Sequence, residues 1–254
     1  MIRSKSPDEI EGMRRAGRVV VEAIQAARLL LCPGVTTRRL DEAIVEVIEG
    51  AGADAVFRGM PAPGVSPYPA ASCLSVNDQA LHAIPSEREI QDGDLVSIDA
   101  GCRLGGWCAD AACSFGVGAV DRSTTTLLDE GRLALETAVL GLRECRRWAD
   151  VVRRVRNQVA EAGLALVEGP SGHGIGRTLH EDPQVGWSDP PPDDFAITPG
   201  LVIAVEPLVT TGRGRLQVAE DGWTLSSLDG HRVVHFEQTV AIGENGPAVL
   251  TPWE

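Results

Sequence analysis

Four carboxylates stand where strand-forming sequence has least tolerance for them. Asp99 lies in Val96-Ser97-Ile98-Asp99-Ala100-Gly101, and Asp110 follows in Trp107-Cys108-Ala109-Asp110-Ala111. Glu206 closes Leu201-Val202-Ile203-Ala204-Val205-Glu206-Pro207, and Glu237 sits in Val233-Val234-His235-Phe236-Glu237-Gln238-Thr239-Val240. A buried carboxylate is costly unless it is paired or binds a metal. Two such acids could be paired with Arg; four look like one oxygen-rich cluster with a preference for hard or borderline divalent cations. A turn centred between Leu104 and Gly105 would make Asp99 and Asp110 mirror positions of a hairpin, with Cβ atoms ~5 Å apart. Then one acid is protonated, or cations occupy the gap, or both acids face solvent on an open side.

The rest of the chain reads as an ordinary globular protein. Its 254 residues are 43% apolar and 23% charged, which excludes wholesale disorder. No apolar run approaches the ~18 to 20 residues of a membrane helix. A net charge of −13 argues against a nucleic-acid partner. The 23 basic residues are all Arg except Lys5, a compositional bias given no functional weight. No signal peptide is visible, and six cysteines without CxxC spacing read as reduced thiols, so a cytoplasmic location is expected. Cys102, Cys108 and Cys113 read as small buried hydrophobes.

Ser6, Pro7 and Glu9 form the capping signature of a helix running to about Leu31, and Thr36 or Thr37 caps a second through Glu49. Short strands are expected over 55–58, 71–76, 95–102 and 107–117. Asp121 then opens a helix through Arg143, another spans Asp150–Ala162, and strands follow near 164–168, 201–209 and 233–242. Residues 188–194 form an exposed loop. Two helices then strands, twice over, predict an α+β fold with duplicated halves and one domain over 1–254.

Three histidines stand out. His173 is flanked by glycines, which let backbone approach closely and leave the ring reachable; His180 follows seven residues on, and His82 precedes Ala83-Ile84-Pro85. His231 and His235 read as ordinary loop and strand residues. One His and four carboxylates suit a dinuclear site, two ions ~3.5 to 4 Å apart with a water between them. That set predicts metal-assisted hydrolysis without identifying the bond.

At these residues the chain resembles the methionine aminopeptidases, specifically the shorter type I class. The resemblance runs through Ser75-Val76-Asn77, His82-Ala83-Ile84-Pro85, Ser97-Ile98-Asp99, Asp110, Gly172-His173-Gly174-Ile175-Gly176-Arg177, His180-Glu181-Asp182-Pro183, Val205-Glu206-Pro207 and Glu237-Gln238-Thr239. It implies the pita-bread fold with its pseudo-twofold halves. It also implies five metal ligands, Asp99, Asp110, His173, Glu206 and Glu237, with Asp110 and Glu237 bridging two divalent ions (Co, Mn, Fe or Zn). Glu206 would exchange a proton with the bridging water, His82 would lie near the substrate's amine and scissile amide, and His180 would stabilise the carbonyl oxygen. Tyr68, Cys73 and Trp223 would line a methionine pocket, or Tyr68 and Trp223 serve only as core.

The implied reaction is removal of N-terminal methionine from nascent chains and peptides with small second residues, by a monomer without nucleic-acid or membrane partners. Several positions depart from the family pattern. Val65 stands for an aromatic, Leu179 for Phe, Ala83 for Gly, the Cys108–Ala111 run for a more polar one, and Gln238 for the His after the last Glu. Val65 and Leu179 would soften the pocket, and Gln238 would remove an outer imidazole. The rival readings are a proline-specific peptidase of the same fold, which usually carries an additional N-terminal domain, and a non-catalytic peptide-binding module, which would have lost ligands. A type II enzyme would carry a long helical insertion that is missing here.

Overall fold

The computed structural model describes residues 1–169 and 172–253. Helix α1 (Pro7–Leu30) starts on the expected capping box, with the Ser6 and Glu9 side chains each accepting from the other's backbone N–H. Thr36 caps α2 (Thr37–Gly50), and Asp121 caps α3 (Arg122–Glu144). Helix α4 (Trp148–Glu161) begins two residues before the expected Asp150, without a side-chain cap. Its start is set by packing instead: Trp148 is fully buried, stacks on Phe195 at 5.7 Å and donates its indole N–H to the Gly186 carbonyl.

Among the described residues the largest sheet has nine strands, and all its pairings are antiparallel. Its centre is the Leu95–Leu104/Trp107–Gly116 hairpin, followed by Glu237–Gly243, Val202–Val205 and Gly172–Gly174. The duplicated order holds. Helices α1 and α2 precede the hairpin, α3 and α4 precede the Val202–Val205 and Glu237–Gly243 pair, and the two halves join where Glu237–Gly243 meets Trp107–Gly116.

Strand alternation divides this sheet into two faces. Ile98, Ala100 and Cys102, with Ala111, Cys113, Ile203, Val205 and Val240, pack into the main core with the apolar stripes of the helices. The opposite parity carries Asp99, Asp110 and Glu237. All six cysteines are unpaired, and Cys102, Cys108 and Cys113 are buried as read.

Two expected strands are each broken in two. The 201–209 run pairs with the large sheet over Val202–Val205 and with a separate three-stranded sheet over Leu208–Thr210. Pro207 lies at the break, where its missing N–H cannot continue the ladder. The 233–242 run divides at Phe236, with Val233–His235 in the smaller sheet and Glu237–Gly243 in the larger. Glu206 and Glu237 therefore sit where chain passes between sheets.

Candidate metal centre and active site

The hairpin turn differs from expectation by one residue. Gly105 and Gly106 both have positive φ, +59° and +78°, and Leu104 pairs with Trp107. Two central residues in the left-handed region are what a tight hairpin turn requires, and only the glycine pair supplies them cheaply. Asp99 consequently faces Ala112 and Asp110 faces Gly101, so the two acids are diagonal neighbours rather than opposite. A two-residue offset preserves the face, so both still point the same way.

The remaining donors fall on adjacent rows of that face. Ala112 pairs with Asp99 on one side and Glu237 on the other. Gln238 pairs with Val205, and extending that register one residue brings Glu206 opposite Glu237. The first row thus reads Asp99, Ala112, Glu237, Glu206. The second holds Gly101 beside Asp110, then Thr239, which exchanges hydrogen bonds with the Asp110 backbone, then Ala204 and His173. His173 reaches its place through close backbone packing. A Cβ on Gly172 would lie 2.2 Å from the Ala204 carbonyl oxygen, and one on Gly174 would lie 2.0 Å from that of Asp182.

The acids are buried, at 7% exposure for Asp99, 4% for Asp110, 7% for Glu206 and 2% for Glu237. Among the described residues, Asp99 Oδ1, Asp110 Oδ1, Glu237 Oε1 and His235 Nε2 have no hydrogen-bond partner. Burial, then the charge of Asp110, pushes the Asp99 and Glu237 carboxyls well above their usual range. Burial also works to raise Glu206, but His235, His173 and His82 outweigh it and hold Glu206 below its ordinary value. His173 Nδ1 lies 2.9 Å from the Gly174 carbonyl, which can only accept. A proton therefore sits on Nδ1, and Nε2, 3.7 Å from Asp110 Oδ2, is the nitrogen that faces the acids and offers its lone pair once the ring is neutral. Burial disfavours charge on His173, yet Asp110 and Glu206 raise its pKa.

Donor atoms of Asp110, His173 and Glu237 lie within 4.8 Å of one another, and so do those of Glu206, His235 and Glu237. Orphaned oxygens in an acid cluster with an imidazole lone pair fit divalent cations of the borderline class. His235 was expected to be an ordinary strand residue. Its ring is buried at this cluster, Nε2 standing 3.1 Å from Glu206 Oε2 and 3.8 Å from Glu237 Oε2. The available signal was its position two residues before Glu237, hence on the same strand face. Gln238, by contrast, pairs with Ala111 and Val205 of the helix-side core, so the departure at that position does not reach the cluster. His231 stays elsewhere, 3.1 Å from the Thr211 hydroxyl.

A cavity of about 910 Å³ opens above the acids. Tyr68, Cys73, Leu179 and Trp223 line it, with Phe57 and Met60. Tyr68 donates to carbonyls of Ser72 or Ala83, and Trp223 meets it edge-on at 5.1 Å. Val65 packs against Gly222, next to Trp223. His82, held at a positive φ of 57°, faces the same cavity, and burial lowers its pKa to about 4. His180 meets His173 ring to ring at 4.4 Å, and desolvation with that neighbour lowers its pKa. Its loop is clamped by Glu181, which accepts from the Arg177 backbone and from Lys5 Nζ at 2.8 Å. Lys5, the chain's only lysine, is thus a buried structural cation rather than a compositional residue.

Residues 11–244 match the metallopeptidase family M24. The chain belongs to that family. It is 37% identical to a methionine aminopeptidase of Clostridium perfringens, over 99% of both chains. The crystal structure of a methionine aminopeptidase from Thermotoga maritima superposes with a TM-score of 0.93 at 36% identity, covering 99% of each chain. A prolidase from Pyrococcus horikoshii superposes with a TM-score of 0.79 at 23% identity, a likeness of fold alone, and this chain covers 64% of it. The M24 architecture is the pita-bread fold, and its members are metallopeptidases that use divalent ions.

Proposed function

We propose that this M24 protein is a methionine aminopeptidase that removes the N-terminal methionine from nascent chains and peptides with small second residues. The observation that carries the reading is the arrangement of Asp99, Asp110, His173, Glu206 and Glu237 on adjacent rows of one sheet face, beneath a cavity with an apolar wall of Phe57, Met60, Leu179 and Trp223. The methionine aminopeptidases it matches over nearly their whole length support it.

Those five residues would hold two divalent ions. Bound there, the ions supply Lewis acidity, acidifying water and polarising the peptide carbonyl. Glu206, kept ionised by the surrounding imidazoles, is the group to take a proton from the attacking water. His180 is neutral near pH 7 and donates one ring N–H to the carbonyl oxygen as charge builds on it. His82, also neutral, stands beside the amine and the scissile nitrogen. Tyr68, Cys73, Leu179 and Trp223 exclude water around the methionine side chain, and Leu179 leaves this wall softer than an aromatic would.

The test reloads chelated protein with Mn, Co, Fe or Zn separately and offers Met-Ala-Ser beside Xaa-Pro dipeptides. Free methionine from Met-Ala-Ser with at least one metal, and intact Xaa-Pro substrates, are expected. Cleavage confined to Xaa-Pro bonds would move the protein to the proline-specific branch. No cleavage with any metal would leave a peptide-binding module.

A further inference from the structure

We propose that His235 is a sixth metal ligand, giving the Glu206 side of the centre an imidazole of its own. The proposal rests on the metal-centre reading above and extends its ligand set. Its first support is geometric. Two donors bound to one ion at about 2.1 Å and at tetrahedral or octahedral angles lie about 3.0 to 3.4 Å apart. His235 Nε2 and Glu206 Oε2, 3.1 Å apart, fall inside that range; Glu237 Oε2, at 3.8 Å from Nε2, lies somewhat outside it but within the same three-donor group.

The second support is that the nitrogen lacks a formed hydrogen bond. Nε2 is fully buried and, among the described residues, has no hydrogen-bond partner. Glu206 Oε2, 3.1 Å away, is near enough for His235 to hold its carboxyl low, yet the pair falls short of a formed hydrogen bond. A buried polar atom left in this state costs on the order of 1 to 3 kcal/mol, and a shared cation would satisfy both groups at once.

The third support is how firmly the ring is placed. The His235 backbone donates to Ser114 Oγ at 2.8 Å and accepts from the same hydroxyl at 3.0 Å, and Ser97 backs that hydroxyl at 2.7 Å. On its other side His235 pairs with Leu208. It stands two residues before Glu237, whereas His173 lies on the row two residues beyond. The two imidazoles therefore approach the acids from opposite directions. Nitrogen donors on both sides would shift preference toward Zn, Fe or Co and away from Mn.

X-ray absorption on chelated wild-type protein, reloaded with two equivalents of Zn, reads the ligand count directly. A five-ligand centre shares one imidazole between two ions, an average of one half per ion; the six-ligand centre averages one. The expected result is one imidazole per ion in the wild type, falling to one half in His235→Gln. Calorimetry on the same variant should show Zn affinity reduced at least about tenfold, with Mn affinity changed less. One half imidazole per ion in the wild type would overturn the proposal, and so would an unchanged count in the variant. Should His235→Gln fail to fold, the wild-type count alone decides. Failure of the wild type to bind metal would overturn the underlying centre instead, a distinguishable outcome.

Discussion

A side chain that meets its partner only in the transition state can be removed without disturbing the ground state, and His180 is placed to be one. It touches the cavity and His173 but lies outside the buried acid rows. His180→Ala should lower kcat roughly 10²- to 10³-fold, the usual cost of losing one oxyanion donor. Elemental analysis should show metal content unchanged; emptied metal sites would instead make His180 a ligand. The acids at the centre were legible because a carboxylate inside apolar strand sequence needs a reason to be there. His235 was less so, because a single histidine in a strand is more often structural than functional. Only its alternation with Glu237 hinted otherwise. Lys5 was not legible at all, since its burial depends on Glu181, which lies 176 residues away in the chain.

At the level of elements, the centre depends on backbones that approach more closely than side chains would allow. The Gly172–Gly174 strand meets Val202–Val205 with the Gly172 Cα pressed toward the Ala204 carbonyl. Gly172→Ala should cost ~1 to 3 kcal/mol or more and lower Tm by several degrees. It should also weaken metal binding by displacing His173. Unchanged Tm and metal affinity on calorimetry would show that the strand has slack the structure does not display. Three of the four helix starts were readable to the capping residue, because Ser6, Thr36 and Asp121 act locally. The start of α4 was not, because the burial of Trp148 decides it. The breaks at Pro207 and Phe236 also escaped a reading by hydrophobic runs: apolar sequence continues through both, and only pairing reveals that the chain changes sheets.

Over the whole molecule, duplication explains why the acids come in pairs. Each half contributes two helices and two central strands, and each strand pair brings two carboxylates to the shared face. That order was visible in the sequence without any residue-level repeat. The row-by-row arrangement was not, because it needs the register between halves. Four of the acids counted in the formal net charge of −13 belong to this cluster rather than to solvated surface, and ionising all four together calls for cations. Exhaustive chelation followed by metal titration, read as methionine released from Met-Ala-Ser, puts this to trial. Release should vanish with the metal and return on addition, saturating at two ions per chain. Full methionine release by protein that elemental analysis finds free of metal would contradict it.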